Sequence, residues 1–201
     1  MLQGRERRAT KMETKNVMIV GVGGQGSLLA SKLLGRLLLD AGYDVKVSEV
    51  HGMSQRGGSV VTYVRYGDKV YSPVIDEGQA DYIVSFELLE AARWLSYLKE
   101  GGQIVTNIQQ IDPMPVITGA AQYPENLVEK MQATGAKVDA IDCVKLAQEA
   151  GSVKAVNIVL MGRLSHYFDM PEEAWIKAME AIVPAKFLEM NKKAFELGKN
   201  A

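Results

Sequence analysis

The sequence predicts an α/β fold: a Rossmann-like, doubly wound, mostly parallel sheet with helices on both faces and a helical C-terminal segment. Three observations predict it. A short apolar run, Asn16–Val20, ends in the glycine turn GVGGQG at residues 21–26. A leucine-rich stretch with helical spacing follows that turn. Strand-like and helix-like segments then alternate until about residue 154, after which strand signals stop.

Each element has a local reason. NVMIV is a continuous apolar run bounded by glycine, as a buried strand requires. From Gly24 to Ala41, Leu28, Leu29, Leu33, Leu34, Leu37 and Leu38 mark a helix with a broad apolar face, closed by Ala41-Gly42. Val45–Val50 alternates as a second strand, completing strand–glycine turn–helix–strand. Ser59–Tyr66 reads as a third strand, Gly67-Asp68 as a turn, and Lys69–Tyr71 as a short returning antiparallel strand. Asp81–Phe86 is a buried strand and Glu87–Leu98 a helix capped by Gly101-Gly102, followed by a strand at Gln103–Thr106. Residues 107–123, with Pro113 and Pro115, read as an irregular excursion. Pro124–Ala133, Lys137–Ile141 and Asp142–Ala150 read as helix, strand and helix. Three helices complete the chain at Lys154–Phe168, Glu173–Ile182 and Pro184–Leu197. Asp169-Met170-Pro171-Glu172 resembles an N-terminal cap with proline in the first turn. Residues 1–15 are expected to be a disordered lead-in, with Met12 a candidate natural start, and residues 16–201 a single domain.

Composition narrows the function classes. The 201 residues carry a formal net charge of −1 and show no basic face, which argues against nucleic acid and anionic membranes as partners. No apolar run reaches the ~18 residues of a membrane span, and the basic, polar opening has no apolar signal region. Cys143 is the one cysteine, so the chain cannot ligate an all-cysteine iron–sulfur cluster by itself, and a reducing cytoplasm is the expected compartment.

Two stretches carry candidate chemistry. In the Gly21–Gly26 turn, Gly21 permits the bend, Gly23 and Gly24 let backbone approach a phosphate, and Gly26 lets helix and strand touch. Glu49, 23 residues beyond Gly26, stands where a ribose-binding acid would. Two readings of the turn stand: a dinucleotide site, or glycines that serve close packing alone. The second stretch is EVHGMSQRGGSV, residues 49–60. Ser54 offers a hydroxyl, Arg56 a planar fork for phosphate or carboxylate, and Gly57-Gly58 a backbone anion nest. Its bland alternative is a structural loop with Arg56 in an ion pair. His51, His166, Cys143, Glu87, Asn107 and Asn157 are secondary candidates. Structural roles are expected for the histidines, core packing for Cys143, and a helix cap for Glu87.

GVGGQGSLLASKLLGRLL, then EVHGMSQRGGSVVTYVRYG, then SPVIDEGQADYIVSFELLEAAR resemble the gamma-type subunit of 2-oxoacid:ferredoxin oxidoreductases. HGMSQRGGSV is the wording of the indolepyruvate branch, and the resemblance covers roughly residues 16–195. It implies a small subunit of a complex that decarboxylates an aryl 2-oxoacid on thiamine diphosphate and passes electrons through [4Fe–4S] clusters to ferredoxin. Coenzyme A takes the acyl group. Thiamine diphosphate, magnesium and the clusters are then expected on a large partner subunit, in a heterodimer or a pair of heterodimers. The sequence agrees: it has no Gly-Asp-Gly with a later Asn-Asn, and no Cys-x-x-Cys-x-x-Cys. The resemblance makes coenzyme A, through Gly21, Gly23, Gly24, Gly26, Ser54, Arg56, Gly57 and Gly58, the ligand to test. The alternatives are a stand-alone NAD(P)-dependent dehydrogenase and a nucleotide-sensing module without chemistry.

Overall fold

The computed structural model of the chain describes residues 12–51 and 58–201. Strand β1 (Lys15–Val22) lies at the centre of the sheet, because its six interior residues, apolar but for Asn16 and Gly21, are buried from both sides. Helix α1 (Ser27–Asp40) follows. It buries Ala30, Leu33, Leu34, Leu37 and Leu38, each leucine worth roughly 1.5–3 kcal/mol of transfer from water. Strands β2 (Asp44–His51), β3 (Ser59–Gly67) and β4 (Ala80–Ser85) come next, then helix α2 (Leu88–Arg93) and β5 (Leu98–Asn107). The proline-bearing excursion holds only the four-residue α3 (Met114–Ile117). Helix α4 (Leu127–Ala133), β6 (Lys137–Ile141) and α5 (Cys143–Ala150) complete the alternating part, and α6 (Val156–Leu164), α7 (Glu172–Ile182) and α8 (Ala185–Lys199) form the helical C-terminal part.

The six strands are ordered β2-β3-β1-β4-β5-β6. β1, β4, β5 and β6 are mutually parallel. β3 runs antiparallel to both neighbours, β1 and β2. The expected mostly parallel, doubly wound sheet is therefore present, with one reversed strand inserted near an edge.

The two faces are covered unequally. On one, Val17, Ile19, Val64, Val84 and Val105 pack under α1 and α5 to α8, around Trp175, Phe195 and Leu160. On the other, Met18, Val20, Ile83 and Ile104 meet α2 and α4 through Leu88, Ala91, Leu127 and Met131. Met161 and Met179 are fully buried in the thicker layer. There α6 and α8 approach so closely that a Cβ on Gly198 would lie 2.0 Å from the Val159 carbonyl oxygen, and one on Gly162 2.1 Å from that of Phe195.

Four local expectations are corrected. Lys69–Tyr71 forms no strand; the Val70 N–H instead donates to Asp44 at 2.8 Å, so a side chain takes the place of a ladder. Gly101-Gly102 does not cap a helix. α2 ends at Arg93, Leu95–Tyr97 is one 3₁₀ turn, and the glycine pair lies inside β5 at a register shift against β4. Asp169 does not cap α7, because Pro171 itself stands at the cap position with Glu172 and Glu173 in the first turn. Most consequentially, β2 is not the neighbour of β1.

Candidate functional site

The carboxyl ends of β1, β4 and β5 converge on one patch, where an open α/β sheet takes its ligands. The glycine turn leaves β1 there. Gly24 and Gly26 adopt φ +98° and +90°, which side chains disfavour. Gly26 caps α1 with no side-chain bond, and its carbonyl accepts from Asn157 Nδ2 at 3.4 Å. A Cβ on Gly26 would stand 2.8 Å from that same amide nitrogen, and one on Gly21 2.9 Å from Phe86 Cβ. Gly26 therefore allows α1 to meet α6, and Gly21 allows β1 to meet the end of β4.

Gln25 folds back into the turn. Its Oε1 accepts from the Val22 N–H at 2.7 Å, and its Nε2 donates to the Phe86 carbonyl at 3.1 Å and to Gln109 Oε1 at 3.3 Å. The Gly23 N–H donates to the Gly58 carbonyl at 3.0 Å and the Gln25 N–H to the Val22 carbonyl at 3.3 Å. Three backbone donors of the turn are thus satisfied within the chain. The N–H groups at the start of α1, which a phosphate at a helix N-terminus uses, are not among these three.

The ribose acid fails. With β3 inserted, β2 is two strands from β1, a separation of about 9.5 Å at the usual inter-strand spacing. Glu49 pairs across the ladder with Thr62 of β3, so the acid is displaced from the position a dinucleotide site requires. The reversed strand is the physical reason.

Beside the turn lies a cavity of about 600 Å³, lined by Gly24, Gln25, Gly26, Gln109, Val144, Val153, Lys154 and Val156. Its lining brings together the start of α1, the strand-end residue Gln109, the first turn of α5 and the entry to α6. Behind Gln109, fully buried Asn107 fixes the wall: its Nδ2 donates to the Phe86 carbonyl at 3.1 Å and to Gln109 Oε1 at 3.4 Å, and its Oδ1 accepts from the Cys143 N–H at 3.1 Å. Among the described residues, Lys154 is the one charged side chain in this lining.

A second buried polar cluster supports the excursion after β5. Glu87, 1% exposed, caps α2 by accepting from the Glu90 N–H at 2.8 Å, as its sequence position suggests. Its other oxygen accepts from the Ile111 N–H at 3.0 Å and the Tyr123 hydroxyl at 2.6 Å. Desolvation, then the Glu87 carboxylate, hold the Tyr123 phenol well above its ordinary range. Glu90 is also buried. Desolvation raises its carboxyl against the opposing pull of Ser59, 2.5 Å away, and Arg93, at 3.2 Å.

Of the other sequence candidates, Gly58 belongs to the patch through its carbonyl. Ser54, Arg56 and Gly57 lie outside the described residues, as does the side chain of His51. His166 is exposed and meets the Lys199 carbonyl, a structural contact. Cys143 is completely buried at the start of α5. Burial first, then Asp142 and Asp139, push its thiol far above the ordinary range, so it is a packing residue. Among the described residues no His, Cys, Asp or Glu cluster could hold a metal ion, and no helix is long and apolar enough to cross a membrane.

Sequence reasoning missed Gln25, Gln109, Lys154 and the valines of the cavity. Gln25 carried a signal, since a carboxamide inside a glycine turn can bond the turn's own backbone. Gln109 and Lys154 carried none, because only the fold brings them together.

The comparisons agree with this architecture. The pyruvate ferredoxin/flavodoxin oxidoreductase family matches residues 16–201. Among named relatives, the indolepyruvate oxidoreductase subunit IorB of Thermococcus kodakarensis is 47% identical over 94% of this chain and 96% of its own length. That of Archaeoglobus fulgidus is 38% identical over 92% and 94%. Two solved structures share the fold. One is the pyruvate oxidoreductase subunit PORC of Thermotoga maritima, with TM-score 0.72, 23% identity and 94% and 96% coverage. The other is the 2-oxoglutarate:ferredoxin oxidoreductase of Magnetococcus marinus with 2-oxoglutarate, coenzyme A and succinyl-CoA bound, with TM-score 0.71 and 21% identity, covering 94% of this chain and 31% of that one. The chain belongs to the pyruvate ferredoxin/flavodoxin oxidoreductase family, as a small subunit of an oxidoreductase complex of the indolepyruvate/pyruvate type.

Proposed function

We propose that this subunit walls the coenzyme A side of the active-site cleft in an indolepyruvate-type complex. The larger partner holds thiamine diphosphate, magnesium and the [4Fe–4S] clusters, which supply decarboxylation and electron transfer to ferredoxin. This chain's residues shape the place where the acyl acceptor enters and line the subunit interface. A cytoplasmic heterodimer or pair of heterodimers is the assembly that fits this division of labour.

The observation that carries the reading is the cavity at the carboxyl edge of the sheet, bounded by the self-bonded glycine turn and by Lys154. A relative of the same fold that was solved with coenzyme A supports it. Ser54, Arg56, Gly57 and Gly58 form the second proposed contact, with the Arg56 fork directed to a phosphate or to a carboxylate of the partner chain.

The test is reconstitution. Co-expressed with the large chain, the protein should support indolepyruvate-dependent reduction of ferredoxin, and each chain alone should support none. Arg56→Ala should raise the KM for coenzyme A about tenfold or more, or block assembly, as expected for a lost charge-assisted contact. A large chain that turns over at full rate without this one would overturn the proposal.

A further inference from the structure

The stretch between β5 and α4 is fastened at both ends. Residues 107–123 hold one four-residue helix, α3, and loops of this length in compact domains usually carry a function. The Ile108 N–H donates to the Ile141 carbonyl at the end of β6 at 3.0 Å, and the Leu88 N–H of α2 donates to the Gln109 carbonyl at 2.9 Å. Buried Glu87 then accepts from the Ile111 N–H and from the Tyr123 hydroxyl, so one carboxylate ties the early part of the stretch to its end.

What this frame presents is apolar. Met114 and Ile117, each 65% exposed, stand three residues apart on α3 and so share a side of it. Ile108 is exposed as well. Asp112 is the one charged residue in 107–123, although 23% of the whole chain is charged. Pro113 and Pro115 bring no N–H. The N–H groups of Val116, Ile117, Thr118, Gly119 and Ala121 all donate to carbonyls within the stretch, and the Thr118 hydroxyl donates to the Met114 carbonyl at 3.0 Å. A partner surface can therefore expel water without orphaning these donors. Depletion of charge around an exposed methionine is the composition of an interface centre.

We propose that the stretch carrying α3 is the docking surface for the larger subunit, an inference that rests on the reading above that the cofactors lie on that chain. Two observations select this occupant over a second copy of the chain. Gln109 belongs both to the stretch and to the cavity wall, so a body seated on α3 also closes the carboxyl edge of the sheet, where the cofactor-bearing chain has to arrive. Asp112 is exposed beside α3 and forms no ion pair among the described residues. A two-fold contact between copies would set two such carboxylates on one rim. The complementary surface is an apolar patch for Met114 and Ile117, edged by a lysine or arginine for Asp112.

The two chains of the complex, purified apart and titrated together, test this. Met114→Asp with Ile117→Asp should weaken binding to the larger chain about 30-fold or more, the size of one interface hot spot. The lone variant should melt as the parent does, because both side chains are exposed. With enough variant to saturate the larger chain, kcat and the KM for coenzyme A should return to parental values, which loss of a group in the chemistry would not allow. Asp112→Lys should weaken binding by a smaller factor that shrinks further as salt rises. Tyr71→Asp, at an exposed position outside the stretch, should leave binding unchanged. Parental affinity in the double variant, or an equal loss in Tyr71→Asp, would overturn the inference and leave the coenzyme A reading standing. A parent chain that dimerises, and in the double variant loses the dimer but keeps the larger chain, would make a second copy the occupant and overturn it too. Failure of the underlying reading shows separately, as full turnover by the larger chain alone.

Discussion

Two pairs of glycines in this molecule do comparable physical work, yet only one looks like a motif. Gly21 and Gly26 stand in a phosphate-turn pattern, while Gly162 and Gly198 stand in no pattern at all. In both pairs an added Cβ would collide with the chain's own atoms. For Gly21 these are Phe86 and Gln25, and for Gly26 the Asn157 amide. For Gly162 and Gly198 they are backbone carbonyl oxygens of the facing helix. A glycine pattern therefore cannot distinguish ligand approach from chain approach. The fate of the backbone donors can, and here Val22, Gly23 and Gln25 spend theirs internally.

The comparison is most sharply broken at the helix pair. Gly198→Ala should cost about 3 kcal/mol or more, because its Cβ would overlap rigid backbone that cannot give way without separating α6 from α8. Thermal or denaturant unfolding of the isolated chain reads this directly, and a near-neutral effect would show that the helices move apart freely. Gly26→Ala should come next, at about 1–3 kcal/mol, from the positive φ and the Asn157 contact together. Gln25→Ala should cost about 1–2 kcal/mol, since it leaves the Val22 N–H without its partner. It should also empty the hollow of the turn, so a gain of affinity for inorganic phosphate or adenosine bisphosphate is the accompanying expectation. The smallest effect is a pH dependence at Glu90. Burial raises its carboxyl, so the protonated form is the one that folding favours, and its contribution is present in acid and lost as pH rises through the folded-state value. Glu90→Gln should accordingly gain stability relative to the parent as pH rises from acid to neutral. A difference flat with pH would show that Ser59 and Arg93 fully compensate the burial.

The alternating elements were legible because their signals are local. Apolar runs ended by glycine, and leucines at helical spacing, placed β1, α1, β4, β6 and the three late helices to within a few residues. The insertion of β3 between β1 and β2 was not legible. Strand order is a non-local property, and Val45–Val50 reads the same whether its neighbour is β1 or β3. That one displacement decides between a ribose-binding acid and an edge-strand glutamate at Glu49. The site was half legible: the glycine turn and the cap at Glu87 followed from motif and position, and Asn157, a secondary candidate, donates to the Gly26 carbonyl at the turn. Gln109 and Lys154 are 45 residues apart in the chain and meet only because β5 ends and α6 begins at one edge of the sheet.

The measurement that bears most directly on the whole account is the structure of the assembled complex with coenzyme A bound. The account predicts coenzyme A density in the cavity lined by Gln109, Val153 and Lys154, with the Gln25 carboxamide still seated in the glycine turn. A diphosphate lying on the Val22 and Gly23 N–H groups, with Gln25 swung out, would contradict it.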